Sequence, residues 1–357
     1  MAKRLFLAVL VLLFGFNAFS QIEIWSETDF RNIKNNVNGN YVQKAPIDLG
    51  SIGDTSDAII GTEFKGTYDG GGFNITYSAS FDGTTNDGAY GLFSTVSGTI
   101  KNLNVNANVT FTGTENNMQV ALLCGRLKNN ENKRGIVEFC NVSGNINSNV
   151  QASNLGGSDA GLIVGECKDG IIRYCSASGN VVGIGYVGGI VGHMSSSNAE
   201  VLGCSFVGSV TANNPNEAIF GTSGSFAGGI CGMAKDGAKI NLCYVNADIT
   251  SSKRTEGVAC SAVWYDTDNG TATVTNNYCA GTVNGEDLDS DDITNSAGYV
   301  SGNYYGGQKS AQDIADSLNN AAAGDTNIYF DVVNGEIVFG KVEKVCETPI
   351  NLVVDKN

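Results

Sequence analysis

Four aspartates crowd one stretch of this chain, GEDLDSDDIT, which holds Asp287, Asp289, Asp291 and Asp292. A second pair, Asp266 and Asp268, stands in YDTDNG. Clustered carboxylates suit a hard cation such as calcium. Two carboxylates at a fixed separation are what glycoside hydrolysis needs. Both stretches are flanked by glycine and read as loops. An EF-hand would want glycine where Asp292 stands and a glutamate at the twelfth position, and the chain has neither. A solvated acidic loop is the favoured reading. Calcium held by Asp287, Asp289, Asp291 and Asp292 is the alternative, no other cofactor is expected, and no residue is given a catalytic role.

The one histidine, His193 in GHMSS, follows an apolar strand and reads as an exposed or half-buried turn residue. Alone it supplies neither a metal site nor a catalytic triad. Trp25, Trp264, Tyr265, Tyr304 and Tyr305 could stack on sugar faces, although Trp264 reads better as a core residue.

Most of the ten cysteines share positions in a repeat. Cys140, Cys175, Cys204, Cys243 and Cys279 stand in EFCNV, RYCSA, LGCSF, NLCYV and NYCAG, where an earlier unit has Leu103. Cys124, Cys231 and Cys260 share a second position, taken elsewhere by Val164 and Val191. Cys167 and Cys346 stand outside both columns. Zinc would want paired ligands at short separation, and no CxxC occurs. Stacked strands bring Cα atoms within disulfide range, but their Cβ atoms point in parallel. Buried thiols packing as small apolar residues are favoured, with one or more disulfides as the alternative.

The elements that would place these residues emerge from GYVGGIVGHM, Gly185 to Met194. A glycine-rich loop can cradle a phosphate, but it then leads into a helix with Lys and Ser or Thr after it; no helical pattern follows here. Instead the motif recurs near Tyr90, Val120, Ala160, Val187, Ala227 and Glu256. Each unit reads as a glycine-rich apolar strand, a polar turn and an alternating strand such as Val142, Gly144 and Ile146. Strands recurring without helices between them predict a parallel β-solenoid, in which stacked units bury one continuous core. The repeat glycines Gly125, Gly165, Gly188, Gly189, Gly192, Gly228, Gly229 and Gly232 would serve coil corners whose backbone angles favour glycine.

Composition agrees. Glycine numbers 47, proline 3, and 42% of residues are apolar, too apolar for a disordered low-complexity chain. The net charge of −15 argues against a nucleic-acid partner, which clustered Lys and Arg would mark. Lys3 and Arg4 precede the apolar run Leu5 to Phe19, with Ala18 and Ser20 before Gln21, as in a secretory signal peptide. No transmembrane segment is expected after residue 20.

The unit GYVGGIVGHM…VLGCSFVGSVTA resembles the GLUG motif of exported bacterial proteins. IWSETDFRNIKNNVNGNY, APIDLGSI and FKGTYDGGGFNI resemble the opening module of that group, with Ser26 and Asp29 placed to cap a short helix. KSAQDIADSLNN and IYFDVVNGEIVF resemble its closing helix and hairpin. VCETPINLVVDKN resembles the first strand of a fibronectin type III domain, present as a lone tail or as the start of a longer chain. The resemblance implies an all-β, right-handed parallel β-helix with a short N-terminal capping helix and a C-terminal helix-hairpin cap. It divides the chain into a signal peptide (1–20), N-terminal cap and first coils (21–85), GLUG-type repeats (86–306), C-terminal cap (307–340) and tail (341–357). Some members accompany a zinc protease domain, which needs an HExxH that one histidine cannot supply. Others look like adhesins. The expectation is a secreted or cell-surface, non-enzymatic, adhesin-like protein that binds an extracellular protein or glycan. The alternative is a carbohydrate-binding or carbohydrate-degrading β-helix with an acidic groove.

Overall fold

A computed structural model describes residues 21–341, apart from 85–87, 114–116, 132, 151–157, 214–224, 252–253, 262–271 and 290–298. GYVGGIVGHM begins a coil of four strands: Tyr186–Gly188, Val191–Met194, Glu200–Leu202 and Ser205–Ala212. Each joins a different sheet, numbered 1 to 4 here in that order. Among the described residues six coils have all four strands, within 89–113, 118–150, 158–183, 186–212, 226–251 and 254–283. Like strands pair in parallel and in register, so Tyr90, Val120, Ala160, Val187 and Ala227 stack as one buried column. Sheets 1 and 2 have six strands each, while sheets 3 and 4 extend further towards the N-terminus. The all-β solenoid is therefore as the sequence predicts.

One detail differs. GYVGGIVGHM is not a single strand but two, in sheets 1 and 2, with a sharp corner at Gly189 and Ile190. Nor do the repeat glycines serve left-handed corners, since none of the eight has a positive φ. They allow backbones to approach. A Cβ on Gly192 would lie 2.5 Å from the Ala160 nitrogen, and one on Gly165 would lie 2.7 Å from the Val120 nitrogen. In each case a sheet-2 strand lies against the sheet-1 backbone of the preceding coil. Even a methyl group would push the sheets apart.

The left-handed corners lie between sheets 3 and 4, at Asn102, Phe139, Tyr174, Gly203, Leu242, Asn276 and Gly302, with φ between 52° and 67°. Bulky residues rarely adopt such angles. Here Phe139, Tyr174 and Leu242 join an apolar cluster separate from the interior of the coil. Helix α1 spans Glu27–Arg31 and helix α2 spans Ala311–Ala321. The second cluster is completed by Ile314, Ala315 and Leu318 of α2 and by the hairpin Ile328–Val333/Glu336–Lys341, through Ile328, Phe330 and Ile337. Burial of these rings and chains offsets the backbone cost of the corners. At Gly203 a Cβ would lie 3.0 Å from Ile328 Cγ2, so the flank crosses the corner where no side chain protrudes.

Segment 307–340 is consequently a brace along the side of the solenoid, not the end cap expected from the resemblance. The apolar corner strip spans several coils and needs a cover of that length. At the other terminus Ser26 caps α1 by accepting the Asp29 N–H, as its sequence predicts. Phe30 of α1 is fully buried against Tyr68 and Phe93, with ring centroids 5.7 and 5.8 Å away.

Candidate functional site

In-register stacking sorts the sequence-derived candidates. Cys140, Cys175, Cys204 and Cys243 form one buried column of thiols beneath Leu103. Each Sγ lies 3.2–3.5 Å from the carbonyl oxygen two residues earlier, a weak S–H donor satisfied locally. Burial pushes the Cys243 thiol up to about 12 and the Cys204 thiol well above its ordinary range. These groups pack; they do not attack.

Cys279 does not belong to that column. Tyr278 pairs with Tyr244, so Cys279 stacks on Val245 and Asn277 takes the place below Cys243. Alignment on the cysteines missed the corner that sets register: Leu242 and Asn276 share the left-handed conformation, both at φ 56°. Asn277 is fully buried, and its side chain accepts the Cys243 N–H and donates to Asn303 Oδ1, both at 2.8 Å. A cysteine column thus continues as an asparagine ladder. The second column holds as Cys124, Val164, Val191 and Cys231. Its next member is Ala259, not Cys260, because Gly228 pairs with Glu256 and the same register carries on to Cys231 and Ala259. Cys167 lies in a neighbouring column with Leu127 and Met194.

Among the described residues the acidic candidates are not brought into a metal site. Asp287 and Asp289 are exposed, Asp287 in a short strand that turns back on sheet 4. Asp291, Asp292, Asp266, Asp268, Trp264, Tyr265 and Cys346 lie outside the described residues. Among the described residues no group of three or more His, Cys, Asp or Glu side chains is arranged to hold a metal. Trp25 is 57% exposed near the N-terminus, and Lys309 Nζ sits 4.9 Å from the Tyr304 ring.

The polar cluster that does form was not legible as one. His193 lies within a strand and is buried, not in an exposed turn. Its Nδ1 is 3.4 Å from Asp159 Oδ2, and its ring is 5.0 Å from that of Tyr186. Asp159 and Tyr186 stand in one column of sheet 1 with Gln119. His193 stands in the facing column of sheet 2 with Arg126 and Glu166. Arg126 donates to Glu166 Oε2 at 2.8 Å and to Gln119 Oε1 at 2.6 Å; Ser195 donates to Glu166 Oε1 at 3.0 Å. Burial raises the Asp159 pKa against the opposing pull of His193. Burial, aided by the Asp159 charge, pushes Tyr186 up to about 12. His193 Nε2 is buried with no hydrogen-bond partner. Among the described residues no nucleophile stands in hydrogen-bond contact with Nε2. The sequence signal was thin because Asp159 and His193 come from different coils and only register brings them together.

These observations define an all-β, parallel-stranded solenoid with a buried acid–histidine pair and no assembled catalytic centre among the described residues. No family model matches the chain, and no curated protein does. Two solved structures share its fold. One is a crystal structure from Bacteroides ovatus described as a candidate immunoglobulin A1 protease, with a TM-score of 0.56 and 18% identity, over 90% of this chain and 92% of that one. The other is described as an IgA1 protease, with a TM-score of 0.53 and 17% identity, over 79% of this chain and 21% of that one. The expectation of a non-enzymatic protein is overturned by these names, since both similar structures are called proteases. At this identity the likeness itself reaches the fold and no further. Among the described residues no helix is long and apolar enough to cross a membrane.

Proposed function

We propose that the chain is an exported, GLUG-type right-handed solenoid that recognises an extracellular protein through its outward faces and loops. An immunoglobulin is the first partner to test. The observation that supports this reading is the breadth of the likeness: the fold shared with a candidate immunoglobulin A1 protease runs over 90% of this chain. Export rests on the leader read in residues 1–20, and the right hand on the general chirality of parallel crossovers. Adhesion and substrate recognition draw on the same property, a rigid rod whose interior is fully packed and whose surface is free to vary.

The test is biolayer interferometry of the mature chain against immobilised IgA1, IgA2, IgG and IgM, with gel electrophoresis of the same mixtures. The reading predicts saturable binding to at least one immunoglobulin class. Absence of binding to all four, by a chain with an intact cooperative melt, would contradict it. Fragmentation of the bound immunoglobulin would add a protease activity to the recognition role.

A further inference from the structure

The outward face of sheet 4 has a chemistry unlike the rest of this acidic chain. Six of its consecutive strands are Asn74–Gly83, Asn104–Gly113, Asn141–Val150, Ser176–Gly183, Ser205–Ala212 and Tyr244–Ser251, while the charged strands Ile47–Thr55 and Glu286–Asp287 lie towards the two ends of the sheet. Asp82 and Asp248 are the only charged residues in those strands, although the chain carries 36 acids and 21 bases. The four middle strands hold no charge at all. Sheet 3 differs: there Lys101 pairs with Asp69 at 3.3 Å and Arg173 with Glu138 at 2.6 Å.

Amides and hydroxyls fill the neutral face in register. Asn145 Nδ2 donates to Asn108 Oδ1 at 2.7 Å, Asn180 Nδ2 to Asn145 Oδ1 at 2.8 Å, and Ser209 Oγ to Asn180 Oδ1 at 2.7 Å. A second ladder links Asn141 Nδ2 to Asn104 Oδ1 at 2.8 Å. Each bond fixes a side chain, so a ligand would lose little rotamer entropy on docking. The carboxamides of Asn145 and Asn180 each have a second N–H beyond the one the ladder uses. Successive rungs follow the strand spacing of roughly 4.8 Å.

This pattern selects a partner by exclusion and by match. Protein interfaces favour Tyr, Trp, Phe, Met and Arg, and the middle of this face offers none; Val207 is its exposed apolar side chain. Nucleic acids and charged glycans need fixed cations. What remains complementary is an uncharged chain of hydroxyls repeating along the solenoid axis. We propose that the outward face of sheet 4, centred on Asn145 and Asn180, binds a neutral polysaccharide laid along that axis. This inference does not depend on an immunoglobulin partner.

Co-sedimentation of the mature chain with cellulose, chitin, xylan and mannan, with alginate and heparin as charged controls, tests it. At least one neutral polymer should retain the chain, equally at 0.05 and 0.5 M NaCl, because no ion pair carries the contact. Asn145→Glu with Asn180→Glu should weaken retention about tenfold or more, the order of one lost strong contact at 1.4 kcal/mol per tenfold. Asn106→Glu, in the column between the two ladders, should weaken it as well. Lys239→Gln on sheet 3 should leave it unchanged. Melting curves confirm that the variants fold. The proposal fails if no neutral polymer retains the chain, if only the charged controls do, or if retention survives both face variants. Self-association abolished by those variants would give the face to a second copy and would also overturn it.

Discussion

Asn277 lies directly below Cys243 in the stack, and its side-chain oxygen accepts the Cys243 backbone N–H at 2.8 Å. Its amide nitrogen also donates to Asn303 Oδ1, and Asn303 donates in turn to the Val274 carbonyl, both at 2.8 Å. One polar side chain therefore ties three successive coils where earlier coils rely on packed thiols. Asn277→Ala should leave the buried Cys243 N–H without its acceptor and cost about 1–3 kcal/mol, while Asn303 Oδ1 keeps the Asn277 backbone N–H. Urea denaturation reads this as a lower midpoint, and an unchanged midpoint would contradict the assigned register.

Glycine at position 192 is required by space, not by backbone angle. Gly192→Ala would set a methyl group 2.5 Å from the Ala160 nitrogen and should destabilise by about 1–3 kcal/mol. Gly53 has no atom within 4 Å of an added Cβ and no positive φ. Gly53→Ala should stay within about 0.5 kcal/mol of the parent. Thermal melts of the two variants side by side settle the comparison.

The brace depends on the corner strip. Tyr174 Oη donates to Asp325 Oδ2 at 2.8 Å, and Leu318 of α2 is fully buried against the same cluster. Leu318→Asp should bury a charge without a partner and release the brace. Limited proteolysis should then cut within 307–341 while the six coils persist. Digestion that begins in the coils would contradict a lateral role.

Asp159 gives the stack a signed pH dependence. Its folded pKa is raised above the ordinary 3.8, chiefly by burial. A raised carboxyl contributes stability that is full below its unfolded value and is lost as pH rises through the folded one. Melts from pH 3 to pH 8 should show the parent losing ground to Asp159→Asn with rising pH. Parallel curves would mean that the carboxyl is no less ionised in the fold than in the open chain.

Much of the architecture was legible because stacking repeats local patterns. Six glycine-rich units mark six coils, and Cys140, Cys175, Cys204 and Cys243 mark one interior column. What escaped depends on contacts between coils. Leu242 and Phe139 look like interior residues, yet a left-handed corner sends them to the brace. Cys279 looks like the fifth member of a column, yet the same corner gives its place to Asn277. His193 looks like a turn residue because its partner Asp159 belongs to the preceding coil, and only register brings the two together. The neutral face of sheet 4 is an alternation of asparagine, serine and threonine that any exposed strand could show. Its meaning comes only from the register that lines the rungs up.

Recognition of an extracellular partner by the outward surface is most directly tested by hydrogen–deuterium exchange of the mature chain, alone and with immunoglobulin A. The account predicts slowed exchange in a contiguous set of outward strands or loops, with the interior columns already protected in both states. Identical exchange at every peptide, at concentrations that saturate any measured binding, would contradict it.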